Sequence, residues 1–266
     1  MPNQPFTPKP VNENRRRSRT QRQEGEDLSK IIDKLIFTLW STISDVEAMH
    51  PANSRFYRVT IFGSARISSG DSLYQDARKL ACLLAGFGCD IVTGGGPGLM
   101  EAANEGSKEC SPDGKTRSFG LTINLPFENT PNPYVDKVTA HRTFFSRLHH
   151  FVRMSNAYIV FPGGIGTTLE AFMIWQLLQV KHIAGRPLVF VGDMWAGLVE
   201  WMRAHMLRLN LVDGEDFQFA CCVKTIEEAA EIIRKSKEEF DISLGRAPMK
   251  PQTPSVQPFG RLKKEG

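Results

Sequence analysis

Long apolar runs are missing from this sequence of 266 residues. No stretch of 18 uncharged apolar residues occurs, so nothing reads as a membrane-spanning helix. The first residues hold no apolar leader run, and no secretory leader is expected. Cysteine is scarce, with five residues at positions 82, 89, 110, 221 and 222. The number is odd and no CxxC or His/Cys ligand spacing is present. That argues against a disulfide framework or a zinc site, and fits a reducing, cytoplasmic setting. The six histidines (50, 141, 149, 150, 182, 205) form no HxxxH pair, so no metal site is expected. The Walker pattern GxxxxGK[ST] is absent, which argues against a standard P-loop NTPase. G-x-G-x-x-G spacing with a following ribose carboxylate is absent too, which weakens a dinucleotide reading. No repeat of 20–50 residues is visible.

What is there fits one large domain or two small ones. The 23% charged and 41% hydrophobic content excludes a wholly disordered chain. The net charge of +4 hides an uneven distribution. Residues 1–26 carry six basic and three acidic side chains, and residues 246–266 carry five and one, which leaves 27–245 at −3. Both ends are Pro/Gln/Asn-rich, and disordered basic tails are expected at 1–26 and 245–266. Arg15, Arg16, Arg17, Arg19 and Arg22 suit nucleic acid or anionic lipid. The acidic body argues against a DNA-binding protein.

Leu28, Ile31, Ile32, Leu35, Ile36, Leu39, Trp40, Ile43 and Val46 recur at helical spacing. They predict an amphipathic helix within 27–50 that packs on the body or on a second subunit. From 55 to 241 strand and helix signals alternate. Strands are expected at Arg58–Phe62, Asp90–Thr93, Ser118–Asn124, Lys137–Ala140, Ala157–Phe161, Pro187–Val191 and Phe219–Val223. Helices are expected at Tyr74–Phe87, Leu99–Glu109, Thr143–Met154, Thr168–Val180, Trp195–Leu209 and Thr225–Phe240. Near-continuous apolar runs such as AYIVF suit strands covered on both faces. The expectation is an α/β fold: one doubly wound, Rossmann-like parallel sheet with helices on both faces and an extra N-terminal helix.

Three glycine turns each follow an expected strand and open a helix: Gly63-Ser64-Ala65, Gly94–Gly98 and Gly163–Thr167. In such a sheet they line the carboxyl edge, where ligands bind. Glycine allows close backbone approach, and a helix start offers free N–H groups and a positive dipole, a combination suited to phosphate. Thr167-Thr168-Leu169-Glu170 also matches a capping box, which alone would account for Glu170. The functional alternative has the Glu170 carboxylate leaning back over the loop, to bind ribose hydroxyls or stabilise a cationic sugar. Arg147, His149, His150 and Arg153 form a cationic group on the helix before strand Ala157–Phe161. Arg147 sits at the edge of the stripe made by Phe144, Phe145, Leu148 and Phe151.

Residues 93–104 (TGGGPGLMEAAN) and 162–170 (PGGIGTTLE) resemble the LOG ("Lonely guy") family, formerly labelled "possible lysine decarboxylase". The hallmark PGGxGTxxE is complete. The likeness runs from about Arg58 to Phe240 and includes 62–66 (FGSAR), 125–128 (LPFE) and 132–134 (NPY). The resemblance implies a phosphoribohydrolase that cleaves the N-glycosidic bond of a nucleoside 5′-monophosphate. Cytokinin riboside monophosphates or AMP would be substrates, and free base and ribose 5-phosphate the products. It also implies a homodimer or larger assembly with the site near the interface. The implied catalytic pair is Arg147, eight residues before Ser155, and Glu170. Leu148, Phe151 and Leu169 depart from the family pattern, which touches substrate preference more than chemistry.

The nucleotide is expected on Gly63, Ser64, Gly95, Gly96, Gly98, Met100, Gly163, Gly164, Ile165, Gly166, Thr167 and Thr168. Glu101 and Glu128 are expected near base or ribose. No cofactor is expected. A pyridoxal-dependent decarboxylase would need a lysine in the site, and none lies in a glycine turn. The competing class is a non-catalytic carrier of a nucleotide or phosphorylated cofactor on the same fold.

Overall fold

The computed structural model describes residues 30–36, 55–111, 114–123 and 130–246. Residues up to Asn53 form one unit and those from Ser54 another. In the first, 30–36 is helical (α1), within the stretch where periodicity predicts a helix. The rest of that prediction, residues 1–26 and 247–266 of the expected tails, and Glu128 lie outside the described residues; Gly245 and Arg246, expected in the second tail, continue from the last helix, Ile226–Ser243, their N–H groups donating to the Ile242 and Asp241 carbonyls.

The second unit carries seven strands: β1 (Arg58–Phe62), β2 (Asp90–Thr93), β3 (Ser118–Ile123), β4 (Lys137–His141), β5 (Ala157–Val160), β6 (Leu188–Val191) and β7 (Cys221–Val223). Its helices are α2 (Ser72–Gly86), α3 (Leu99–Glu109), α4 (Phe144–Met154), α5 (Ile165–Gln179), α6 (Asp193–Met202) and α7 (Ile226–Ser243). All strand pairs are parallel, in the order β4-β3-β2-β1-β5-β6-β7. The chain steps outward from β1 to β4, then returns to lay β5 on the other side of β1, Val59 beside Ala157. Loops leaving β1 and β5 therefore diverge, and a crevice opens at their carboxyl ends.

Strand alternation builds two cores. Val59, Ile61, Ile91, Ile159 and Val189 face α2, α3 and α7, where Leu80, Leu84, Leu99 and Ile233 meet them. Phe62, Val92, Tyr158, Val160 and Phe190 face the other way, toward Phe151, Ile174, Trp175 and Trp195 of α4, α5 and α6. Central strands buried on both faces lose their polar alternation, which is why β5 and β6 read as unbroken apolar runs.

Several boundaries differ from expectation. α5 begins at Ile165, not Thr168, because Gly164 is its N-cap. α6 ends at Met202 and widens into a π-helical turn at Arg203–Leu207. β7 starts only at Cys221, because Gly214–Phe219 winds into a 3₁₀ helix that buries Phe217 against Trp175. The expected lack of disulfides is corrected as well: Cys82 of α2 is bonded to Cys110 at the end of α3, with Cα atoms 5.0 Å apart. Counting cysteines could not reveal this, because the pair meets only through the packing of α2 on α3. Among the described residues no helix is long and apolar enough to cross a membrane.

Candidate functional site

The three glycine turns meet at the carboxyl edge and are tied to one another. Ser64 N–H donates to the Pro162 carbonyl at 3.2 Å, joining the first turn to the third. Leu99 N–H donates to the Ser64 carbonyl at 3.0 Å, joining the second to the first. Gly98 has φ +71°, and a Cβ there would run into the backbone of Ser64 and Ala65, so only glycine fits. The second turn is held from below by buried polar groups. Gly95 N–H donates to Thr93 Oγ1 (2.9 Å), and Thr93 Oγ1 donates to Asn104 Oδ1 (2.7 Å). Asn132 Nδ2 donates to Asn104 Oδ1 and to the Gly96 carbonyl, both at 2.9 Å. Asn132 N–H completes the clamp on the Gly95 carbonyl at 2.9 Å. Such a satisfied network holds a loop in a single shape before any ligand arrives.

These turns wall a cleft of about 940 Å³, at the upper end of ligand-pocket sizes. One wall is the start of α5. By helix geometry Ile165, Gly166 and Thr167 N–H have no partner within the helix. Free donors and helix dipole together favour an anion at such a terminus. Five residues further, ~7.5 Å along the axis, stands Glu170, inside the same cleft.

Arg147 of α4 reaches the cleft from the opposite wall. Its Nε donates to the Leu121 carbonyl at 2.7 Å, at the end of β3. Its NH1 lies 3.3 Å from Glu170 Oε1, with side chains only 13% and 14% exposed. Its guanidinium rests over the Phe151 ring, 5.3 Å from the centroid. A Cβ on Gly94 would collide with the same guanidinium, so that glycine makes room for it. Burial pushes the Glu170 carboxyl up to about 7, and the Arg147 charge opposes the rise. Near neutral pH the acid is poised between its two protonation states, as catalytic groups often are.

Helix α4 is itself anchored. Thr143 Oγ1 caps it by accepting from Ser146 N–H. His141 Nδ1 lies 3.1 Å from Ser146 Oγ, and His141 Nε2 lies 3.0 Å from His150 Nδ1. Burial, with the charge of neighbouring cations, holds His150 down at about 4. The histidine pair is thus a neutral tether between β4 and the helix that presents Arg147.

Most residues singled out from the sequence are brought together. Gly63, Ser64, Gly95, Gly96, Met100, Glu101, Arg147, Gly164, Ile165, Gly166, Thr167 and Glu170 line the cleft. Gly98, Gly163 and Thr168 do not. Gly98 shapes the turn from behind, and Gly163 leaves space for the Thr167 side chain. Thr168 is turned into the helix, its N–H and hydroxyl both donating to the Gly164 carbonyl at 3.0 Å. The capping-box explanation of Glu170 also falls. Thr167 is inside the helix rather than at its N-cap, and Glu170 pairs with Arg147 instead. Sequence reading missed Arg66, Thr122, Asn132 and Phe144, which line the cleft as well. Arg66 follows the first turn directly, so a cation beside a glycine turn was a usable signal. Phe144 belongs to the apolar stripe of α4, yet it is 51% exposed. Among the described residues that line the cleft none is a lysine, and no cluster of three His, Cys, Asp or Glu could hold a metal ion.

The family described as "Possible lysine decarboxylase" matches residues 100–233, half of the chain, including the hallmark turn and both members of the Arg147–Glu170 pair. This chain belongs to that family, the LOG family. The pyrimidine/purine nucleotide 5′-monophosphate nucleosidase of Escherichia coli K12 is 30% identical over 227 residues, covering 81% of this chain and 47% of that protein. Its counterpart in Escherichia coli O157:H7 matches to the same extent. The LOG chain thus spans about half the length of the curated relatives it matches. Among solved structures, the molybdenum cofactor binding protein of Rippkaea orientalis superposes with a TM-score of 0.51 at 19% identity, over 69% of this chain and 98% of that one. The Moco carrier protein of Chlamydomonas rheinhardtii gives 0.51 at 16%, over 69% and 99%. At that identity they share the LOG fold and no more.

Proposed function

We infer that the cleft hydrolyses the N-glycosidic bond of a nucleoside 5′-monophosphate, AMP or a cytokinin riboside monophosphate, to free base and ribose 5-phosphate. One observation carries this reading: a buried Glu170, paired with Arg147 at 3.3 Å, lines the same cleft as the open N-terminus of α5. The named activity of the Escherichia coli relatives supports it.

The 5′-phosphate sits on the N–H groups of Ile165, Gly166 and Thr167, where dipole and free donors favour an anion. Binding energy from that remote group orients the reacting carbon. As the bond to the base lengthens, positive charge grows at C1′. The Glu170 carboxylate stabilises this cation, holds the ribose hydroxyls or positions the attacking water. Its burial strengthens the interaction, because charge developing in a low-dielectric cleft is poorly screened. Arg147 orients the ligand and assists departure of the base. Glu101, which lines the cleft, meets base or ribose in this reading.

The chain incubated with a panel of nucleoside 5′-monophosphates is expected to release ribose 5-phosphate and free base in equal amounts. Tight binding of every nucleotide without release of either product would instead support a carrier role. The homodimer belongs to the same proposal. Phe144 and Ile165, which line the cleft, are 51% and 89% exposed, apolar surface that a second copy would cover. Sedimentation equilibrium is expected to report a dimer or larger species, and a monomer at all concentrations would remove that part.

A further inference from the structure

Two cations and two carboxylates stand among the described residues that line the cleft: Arg66, Arg147, Glu101 and Glu170. One of the cations is already committed. Arg147 is engaged by the Leu121 carbonyl, the Phe151 ring and Glu170. Arg66 is exposed, and its guanidinium makes no hydrogen bond, ion pair or ring contact among the described residues.

The backbone beneath that free head is fixed. Arg66 N–H donates to Ser64 Oγ at 3.1 Å, and Ser64 N–H donates in turn to the Pro162 carbonyl. On the other side Ile67 packs against the core. Pro162 lies just ahead of Gly164, the N-cap of α5. The first glycine turn is thus tied to the loop that opens α5, and the cation it carries lines the same cleft as that helix start.

Charge balance gives this side chain a role. A phosphate monoester carries about −1.5 to −2 charges near pH 7. The N–H groups of a helix start offer dipoles worth only a fraction of one positive charge. Glu101 and Glu170 oppose an anion, and Arg147 faces Glu170. Among the described lining residues this leaves Arg66 as the uncommitted counter-charge. Its planar fork suits two phosphate oxygens at once.

We propose that Arg66 binds the 5′-phosphate of the substrate and is the side chain by which the cleft tells a nucleotide from a nucleoside. The proposal rests on the nucleotide reading of the cleft. An uncommitted arginine on a pinned turn closes on a phosphate without breaking any contact it already makes.

The test is isothermal titration calorimetry of the full chain with ribose 5-phosphate and, separately, with adenosine. The parent, Arg66→Ala and Arg66→Lys are compared at low and high salt. Arg66 is exposed, so an unchanged circular dichroism spectrum and melting temperature are expected. Arg66→Ala should bind ribose 5-phosphate about tenfold more weakly or worse, with adenosine affinity within about twofold of the parent. Its kcat/KM for AMP should fall by the same factor, because contact with a non-reacting phosphate is made equally in ground and transition states. Arg66→Lys, which keeps the charge without the fork, should recover part of the loss. Salt should weaken ribose 5-phosphate binding more in the parent than in Arg66→Ala. Unchanged ribose 5-phosphate affinity in Arg66→Ala, an equal loss for adenosine, or no ribose 5-phosphate bound by the parent at low salt overturns the proposal. Failure of the hydrolytic reading shows differently: Arg66-dependent binding with no product from any nucleotide supports the phosphate contact in a carrier.

Discussion

Glu170→Gln is expected to slow ribose 5-phosphate release by ~10³-fold, while affinity for ribose 5-phosphate itself stays within about threefold of the parent. The separation follows from the geometry. The phosphate cradle is built from backbone N–H groups in the first turn of α5, which the substitution does not touch. Glutamine has the size and hydrogen-bonding reach of the acid but cannot carry the negative charge that a developing cationic sugar requires. The same charge gives the parent a recognisable pH profile. Burial raises the Glu170 carboxyl to about 7, so the carboxylate forms as pH rises through that value. The rate constant kcat/KM should climb with it, with a midpoint near 7. The Gln variant should lose this limb. Turnover retained at the parent rate would remove Glu170 from the mechanism.

Arg147→Ala is expected to cost ~10²-fold in kcat/KM at pH 7 and to move the acid limb to higher pH. The sign follows from the two causes acting on Glu170. Desolvation raises its pKa, the Arg147 charge lowers it, and removing the cation leaves the first unopposed. The fold should tolerate the loss, since an unpaired Glu170 can take up a proton rather than remain a buried charge. The Leu121 carbonyl does lose its donor. A pH profile of kcat/KM checks the direction. A midpoint that stays put, or moves down, would show that the two side chains are not coupled as their 3.3 Å separation implies.

Much of this was legible before any coordinates. AYIVF and PLVFV read as doubly covered strands because no polar alternation interrupts them, and β5 and β6 occupy those segments. The glycine turns stood out because each closes an apolar run and opens a helical period. The start of α5 was misread by three residues. Thr167 is a good capping residue, and local chemistry favours it at an N-cap. Packing decided otherwise, burying Thr167 against Gly163 and passing the N-cap to Gly164. Asn104 and Asn132 looked like ordinary polar residues. Their task of clamping the Gly94–Gly98 loop arises only when β3 and α3 bring them within hydrogen-bond distance. The Cys82–Cys110 bond escaped for the same reason.

Periodicity and turn chemistry act over a few neighbouring residues, so element order, the parallel sheet and the phosphate-suited turns were settled by the chain's own pattern. Which face Arg147 presents, and that it meets Glu170 of the neighbouring helix, came only with folding. Those contacts join residues far apart along the chain, and their distances are set by the reversal between β1 and β5 and by how helices seat on the sheet. No local rule carries that information.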